Sequence, residues 1–187
     1  MSRFALVGAR IVTPEGVRDD SALLVDGDRI TGIVEVGHLP QERDVRKLDG
    51  GWLMPGFLDT QVNGGGDVLF NEHPTVDGVR TIAEAHRRFG TTGLLPTLIS
   101  DDPHVVDAGM AAVDASIIGE VPGILGIHIE GPHLNSGKRG IHDASKFTFL
   151  DEHVVERLTR RSPGVKLLTL APELAAPGLI ERLVRGA

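Results

Sequence analysis

Apolar residues at the start of the chain come in short runs separated by turn signals. Phe4-Ala5-Leu6-Val7 and Ala9-Arg10-Ile11-Val12 are broken by Gly8. Ser21 to Val25 and Arg29 to Val36 flank Asp26-Gly27, a dipeptide favoured in tight hairpins, and Asp49-Gly50-Gly51 closes the stretch. Residues 1–53 therefore read as all-β, part of a small β-sandwich domain. From Met54 the texture changes. Gly56 to Val62 is a strand candidate, and Val79 to Phe89 spaces Ile82, Ala83, Ala85 and Phe89 as a helix does, with Gly90 placed for a C-cap. Gly93 to Ile99 is the next strand, and Asp102-Pro103 opens a helix to about Ile118 with an N-cap and a proline in the first turn. Gly123 to Glu130 is a third strand, followed by a long loop from Gly131 to Phe147. Thr148-Phe149-Leu150-Asp151 predicts a capping box leading a helix to Arg161; Val165 to Ala171 is a fourth strand and Pro177 to Arg185 another helix.

Strands alternating with helices over residues 54–187 imply an α/β fold with a parallel sheet. The pattern alone admits a compact open sheet, a doubly wound sheet, or a (β/α)8 barrel of which this chain supplies about four β/α units. A complete barrel takes about 250 residues, and the chain has 187. On the barrel reading it is a fragment.

Composition narrows the chemistry. Hydrophobic residues at 41% and charged residues at 24% give an ordinary globular profile, so no part needs to be treated as fibrous or disordered. A net charge of −7 leaves no basic footprint for nucleic acid or an anionic membrane, so neither is expected as a partner. The absence of cysteine removes disulfides and thiolate metal sites, leaving His, Asp and Glu as metal ligands. The first residues lack the apolar core of a secretory leader, and no apolar run approaches a membrane span. The expected location is the cytoplasm.

The richest constellation ends the third strand: Gly126-Ile127-His128-Ile129-Glu130-Gly131-Pro132-His133-Leu134-Asn135. Alternation puts Ile127 and Ile129 on one face and His128 and Glu130 on the other. In a barrel the second pair points inward, toward the C-terminal mouth. A carboxylate there is costly unless paired, hydrogen-bonded or bound to metal, so Glu130 reads either as a structural ion pair or as a metal ligand. His128 reads as a neighbour that lines the site or orients Glu130. At the end of the first strand of the series stand Gln61 and Asn63, where many metallohydrolases carry His-x-His. Amides are weak zinc ligands, so both are site-lining candidates able to bond water or substrate. The loop Ser136-Gly137-Lys138-Arg139-Gly140-Ile141-His142 offers two cations and a histidine that either face solvent or face substrate. His86, His104 and His153 fall on helices and are expected to be exposed; His133 is expected to pack near the site, and Glu173 ends the fourth strand. There is no serine elbow, cysteine nucleophile or dinucleotide fingerprint.

Taken in order, Met54-Pro55-Gly56-Phe57-Leu58-Asp59-Thr60-Gln61-Val62-Asn63-Gly64, Gly90 to Leu98, Gly126 to Asn135, Lys138 to His142 and Thr169-Leu170-Ala171-Pro172-Glu173 resemble the N-acetylglucosamine-6-phosphate deacetylases of the amidohydrolase superfamily, from about residue 50 to the end. The Gln-x-Asn-Gly and His-x-Glu-Gly-Pro motifs carry most of the specificity. The resemblance implies the N-terminal half of a (β/α)8 barrel enzyme that hydrolyses the N-acetyl group of N-acetylglucosamine 6-phosphate to glucosamine 6-phosphate and acetate. It implies one divalent metal ion, zinc first, with iron, manganese or cobalt as alternatives, and Glu130 as a ligand. It implies substrate contacts from the Ile141 backbone and the His142 imidazole, and a homodimer for the complete protein. The family's two ligand histidines and its catalytic aspartate would lie beyond Ala187, so no catalytic residue is assigned within the chain, and by itself it is expected to be inactive. Alternatives are another amidohydrolase-type deacylase or cyclic-amide hydrolase, or a non-catalytic interaction subunit.

Overall fold

A computed structural model describes residues 2–186. The chain divides into two compact units, 1–55 and 56–187.

The first unit is all-β. It contains β1 (Arg3–Val7), β2 (Arg10–Thr13), β3 (Gly16–Arg18), β4 (Ser21–Asp26), β5 (Arg29–Glu35), β6 (Asp44–Lys47) and β7 (Trp52–Leu53). One sheet has the order β5-β4-β1-β6 and the other β3-β2-β7. The β4–β5 hairpin pairs Asp26 with Arg29, so its two loop residues are Gly27 and Asp28. The turn thus falls one residue later than the Asp-Gly dipeptide suggests, because Gly27, at φ +62°, takes the first loop position. Ala5, Ala22 and Leu24 form a small core with Val7, Val34 and Leu39 against it.

The second unit continues with β8 (Phe57–Val62), the small hairpin β9 (Gly64–Gly65) and β10 (Val68–Leu69), α1 (Val76–Arg87), β11 (Thr91–Leu98), α2 (Pro103–Ile118), β12 (Gly126–Glu130), α3 (Glu152–Leu158), β13 (Val165–Thr169) and α4 (Leu179–Gly186). β8, β11, β12 and β13 make a parallel sheet in chain order, β13-β12-β11-β8. Val62, Leu94, Leu98, Ile127 and Ile129 pack with Phe70 and with Val79, Ile82, Val106, Met110, Val113 and Leu158 of the helices. Full burial of side chains of this size contributes about 1.5–3 kcal/mol each, which makes this layer the main stabilising contact of the unit.

Helix starts differ from expectation in two places. Asp102 precedes Pro103 as an N-cap should, but its side chain makes no capping bond; Lys146 Nζ donates to its carboxylate at 2.5 Å instead. For α3 the cap is Asp151, which accepts from Val154 N–H at 2.9 Å, so the cap falls three residues after Thr148. No helix among the described residues is long and apolar enough to cross a membrane.

Candidate active site

Because Ile127 and Ile129 are committed to the helix-packed core, strand alternation turns His128 and Glu130 to the opposite face of the sheet. His128 is 3% exposed and ties the four strands together. Its Nε2 lies 2.8 Å from Thr169 Oγ1 on β13, and its Nδ1 lies 3.4 Å from Thr97 Oγ1 on β11. Thr97 in turn accepts from Val62 N–H of β8 at 2.9 Å and donates to the Leu95 carbonyl at 3.0 Å. A ring protonated on Nδ1 would donate to Thr97, whose own proton goes to Leu95, and accept from Thr169 on Nε2. Burial holds the His128 pKa below the ordinary imidazole value, against an opposing pull from the Glu130 charge. His128 therefore acts as a buried neutral stitch beneath the site.

Glu130 stands above it at the C-terminal end of β12, its side chain 21% exposed. Gln61 Nε2, from the end of β8, donates to Glu130 Oε2 at 3.0 Å. His142 Nε2, from the loop after β12, lies 3.7 Å from Glu130 Oε1. The structure thus brings Gln61, Glu130 and His142 together at one end of the sheet, with His128 below. Asn63 bonds the Thr97 carbonyl at 3.4 Å rather than reaching Glu130. Ile141 is 85% exposed, whereas its neighbour His142 is buried. Lys138 and Arg139 lie on the solvent-exposed part of the loop.

Two histidines differ from their sequence-based reading or sharpen it. His86 is not fully exposed: its Nε2–H donates to the Gly64 carbonyl at 2.9 Å and fastens α1 to the β9 hairpin. His133 is 2% exposed, with Nδ1–H donating to the Thr148 carbonyl at 3.0 Å. Glu173 does not join the Glu130 cluster; it accepts from Asn135 Nδ2 at 2.8 Å, and that bond, first among the causes, holds its carboxyl below the usual range.

Sequence reasoning passed over Ser100 and Asn71. Ser100 N–H and Oγ lie 3.2 and 2.8 Å from His142 Nδ1. Asn71 bonds both Ile99 and Asp101, donating to the Ile99 carbonyl at 3.1 Å and to Asp101 Oδ2 at 2.9 Å while accepting from Ile99 N–H at 3.0 Å. The available signal was position: Ser100 and Asp101 directly follow β11 at the end of the sheet where Glu130 also lies.

As a metal site the donor set is incomplete. One carboxylate, an amide and an imidazole converge, but the described residues contain no group of three or more His, Cys, Asp or Glu able to hold an ion. A catalytic zinc site takes three protein ligands, so these residues alone do not fit one.

Comparison with known proteins agrees with the geometry. No family model matches the chain. N-acetylgalactosamine-6-phosphate deacetylase of Shewanella sp. (strain ANA-3) is 41% identical over 179 residues, covering 95% of this chain and 45% of the relative. N-acetylglucosamine-6-phosphate deacetylase of Haemophilus influenzae is 27% identical over 171 residues, covering 91% and 45%. The solved structure of N-acetylglucosamine-6-phosphate deacetylase from Pasteurella multocida superposes with a TM-score of 0.93 at 30% identity, covering 98% of this chain and 48% of that one. The chain spans about half the length of the relatives it matches, and in both sequence and fold it is related to the N-terminal half of the amino-sugar-6-phosphate deacetylases.

Proposed function

We propose that the chain carries part of a metal-dependent hydrolase that removes the N-acetyl group of an N-acetylhexosamine 6-phosphate, releasing acetate and the free amino sugar phosphate. Its second unit would be about four β/α units of a (β/α)8 barrel, and its first unit part of a β-sandwich. The observation that carries the reading is the carboxylate of Glu130, held by Gln61 at the end of the sheet where strand termini and loops converge, with His142 beside its second oxygen. Polar groups concentrated there, on the face away from the helices, are what an α/β enzyme needs to bind a small polar substrate.

Within this reading Glu130 is one ligand of a divalent ion, zinc or another of its class. The amide of Gln61 fixes one carboxylate oxygen, His142 offers a hydrogen-bond donor to substrate, and the backbone of Ile141, its neighbour in sequence, would add a further contact. The remaining ligands and the proton-transferring group would come from outside the described residues.

Two substrates follow from the relatives. N-acetylglucosamine 6-phosphate is the substrate named for most of them, while the relative at 41% identity is named for the galactosamine epimer. The deciding experiment joins this chain to the C-terminal half of the Shewanella protein and measures acetate release from both sugars with added zinc. Release from either one, abolished by Glu130→Gln, supports the reading, and the ratio of kcat/KM values selects the epimer. Undiminished release in Glu130→Gln would remove Glu130 from the metal site. For the chain on its own, titration calorimetry is expected to show no tight one-to-one zinc binding, as one carboxylate ligand predicts.

A further inference from the structure

We propose that Ser100 is a positioning residue that holds His142 as the tautomer protonated on Nε2, so that the buried ring presents an N–H donor beside Glu130. The functional reading supplies only what that donor would meet; the tautomer follows from the hydrogen bonds.

His142 is 7% exposed and Ser100 5%, so neither can rely on bulk water. The Ser100 main-chain N–H lies 3.2 Å from His142 Nδ1. A main-chain N–H can only donate, so Nδ1 must offer its lone pair. The Ser100 hydroxyl, 2.8 Å from the same nitrogen, turns its proton the same way. A neutral imidazole whose Nδ1 accepts carries its proton on Nε2, the nitrogen 3.7 Å from Glu130 Oε1. The opposite tautomer could donate from Nδ1 to the Ser100 hydroxyl, but it would set that Nδ1–H against the Ser100 main-chain N–H and leave this buried donor without an acceptor.

Two further features keep Ser100 in place. Asn71 brackets it, bonding both main-chain groups of Ile99 and the carboxylate of Asp101. Gly131 leaves room for the hydroxyl: a Cβ there would come within 2.2 Å of Ser100 Oγ. The chain of contacts runs from Asn71 through the Ile99–Asp101 segment to Ser100, His142 and Glu130, so the β11 terminus sets the direction of a donor carried by the loop after β12.

The test is long-range proton–nitrogen NMR of the imidazoles in the 187-residue chain labelled with nitrogen-15 histidine, with His142→Gln identifying the His142 signals by their disappearance. Wild type is expected to show Nε2 protonated and Nδ1 unprotonated. A dominant Nδ1–H form, or an average of the two, overturns the proposal. Ser100→Ala keeps the main-chain donor and removes only the hydroxyl, so Nε2 is expected to stay protonated while the Nδ1 signal moves further from the protonated range, and Asn71→Ala is expected to shift the same signal to a smaller extent. If both variants fold, by circular dichroism, and leave the His142 signals unmoved, the positioning role is refuted. If Ser100→Ala fails to fold, the wild-type spectrum and Asn71→Ala decide. No substrate or metal enters the measurement, so failure of the deacetylase reading would leave the spectrum as it is.

Discussion

Gly131 adopts φ +82°, a region where a side chain is strained, and a Cβ on it would also strike Ser100 Oγ. Gly131→Ala should therefore cost about 1–3 kcal/mol from backbone strain alone, with the displaced Ser100 adding to it. Urea denaturation of wild type and variant measures the loss; an unchanged midpoint would mean that the loop relaxes freely around the new methyl. The neighbouring Glu130 shows how far one residue was readable in advance. Alternation along Ile127-His128-Ile129-Glu130 assigns both polar side chains to the face away from the core, and the structure has them there. It does not separate their roles. Only the contacts of His128 with Thr97 and Thr169 show that the histidine is spent on holding strands, while Glu130 retains an oxygen facing His142.

At the scale of elements, the four strands of the parallel sheet and the helices packed on them follow from periodicity, whereas the β9–β10 hairpin, only two residues a strand, was not anticipated. Helix ends were less legible. Thr148 and Asp151 are both competent caps, and the choice of Asp151 depends on where the loop after β12 is anchored, which is tertiary information. His133 is one of those anchors: it donates to the Thr148 carbonyl, and its own carbonyl accepts from Ala171 N–H at 2.7 Å, just past β13. Burial lowers the pKa of its imidazole, only partly offset by the Thr148 carbonyl. The unfolded chain then takes up a proton near the free-imidazole value, about 6.5, while the folded chain still resists it. Stability from this group is unaffected well above that pH and falls as the pH drops through it. Denaturation midpoints at pH 7 and pH 5 should diverge less in His133→Gln than in wild type. An equal divergence would mean that His133 is solvated in solution. In the first unit, β3, β6 and β7 were not anticipated, because strands of four residues or fewer with mostly exposed side chains carry little alternation to detect.

At the scale of the molecule, the parallel sheet of the second unit is covered by helices on one face and leaves several apolar side chains exposed on the other. Leu58 is 69% exposed, Val165 61%, Leu125 43% and Leu167 37%. Leu58 and Leu125 both approach the position where a Gly93 Cβ would stand, which puts them together on one side of β11. Lys166 and Leu168 are used on the helix side, Lys166 through a bond to the Leu158 carbonyl and Leu168 in the core, so alternation leaves Val165 and Leu167 on the open side. Single exposed apolar residues are ordinary, but a contiguous group on a sheet face is not. The chain is thus expected to enhance the fluorescence of an apolar-surface dye while fully folded. Leu58→Lys together with Val165→Lys should reduce that signal substantially and leave the urea midpoint nearly unchanged, because neither side chain belongs to the helix-packed core. A large loss of stability in the double variant would show instead that these residues are buried in solution. Weak dye binding by wild type would show that the face is already covered there.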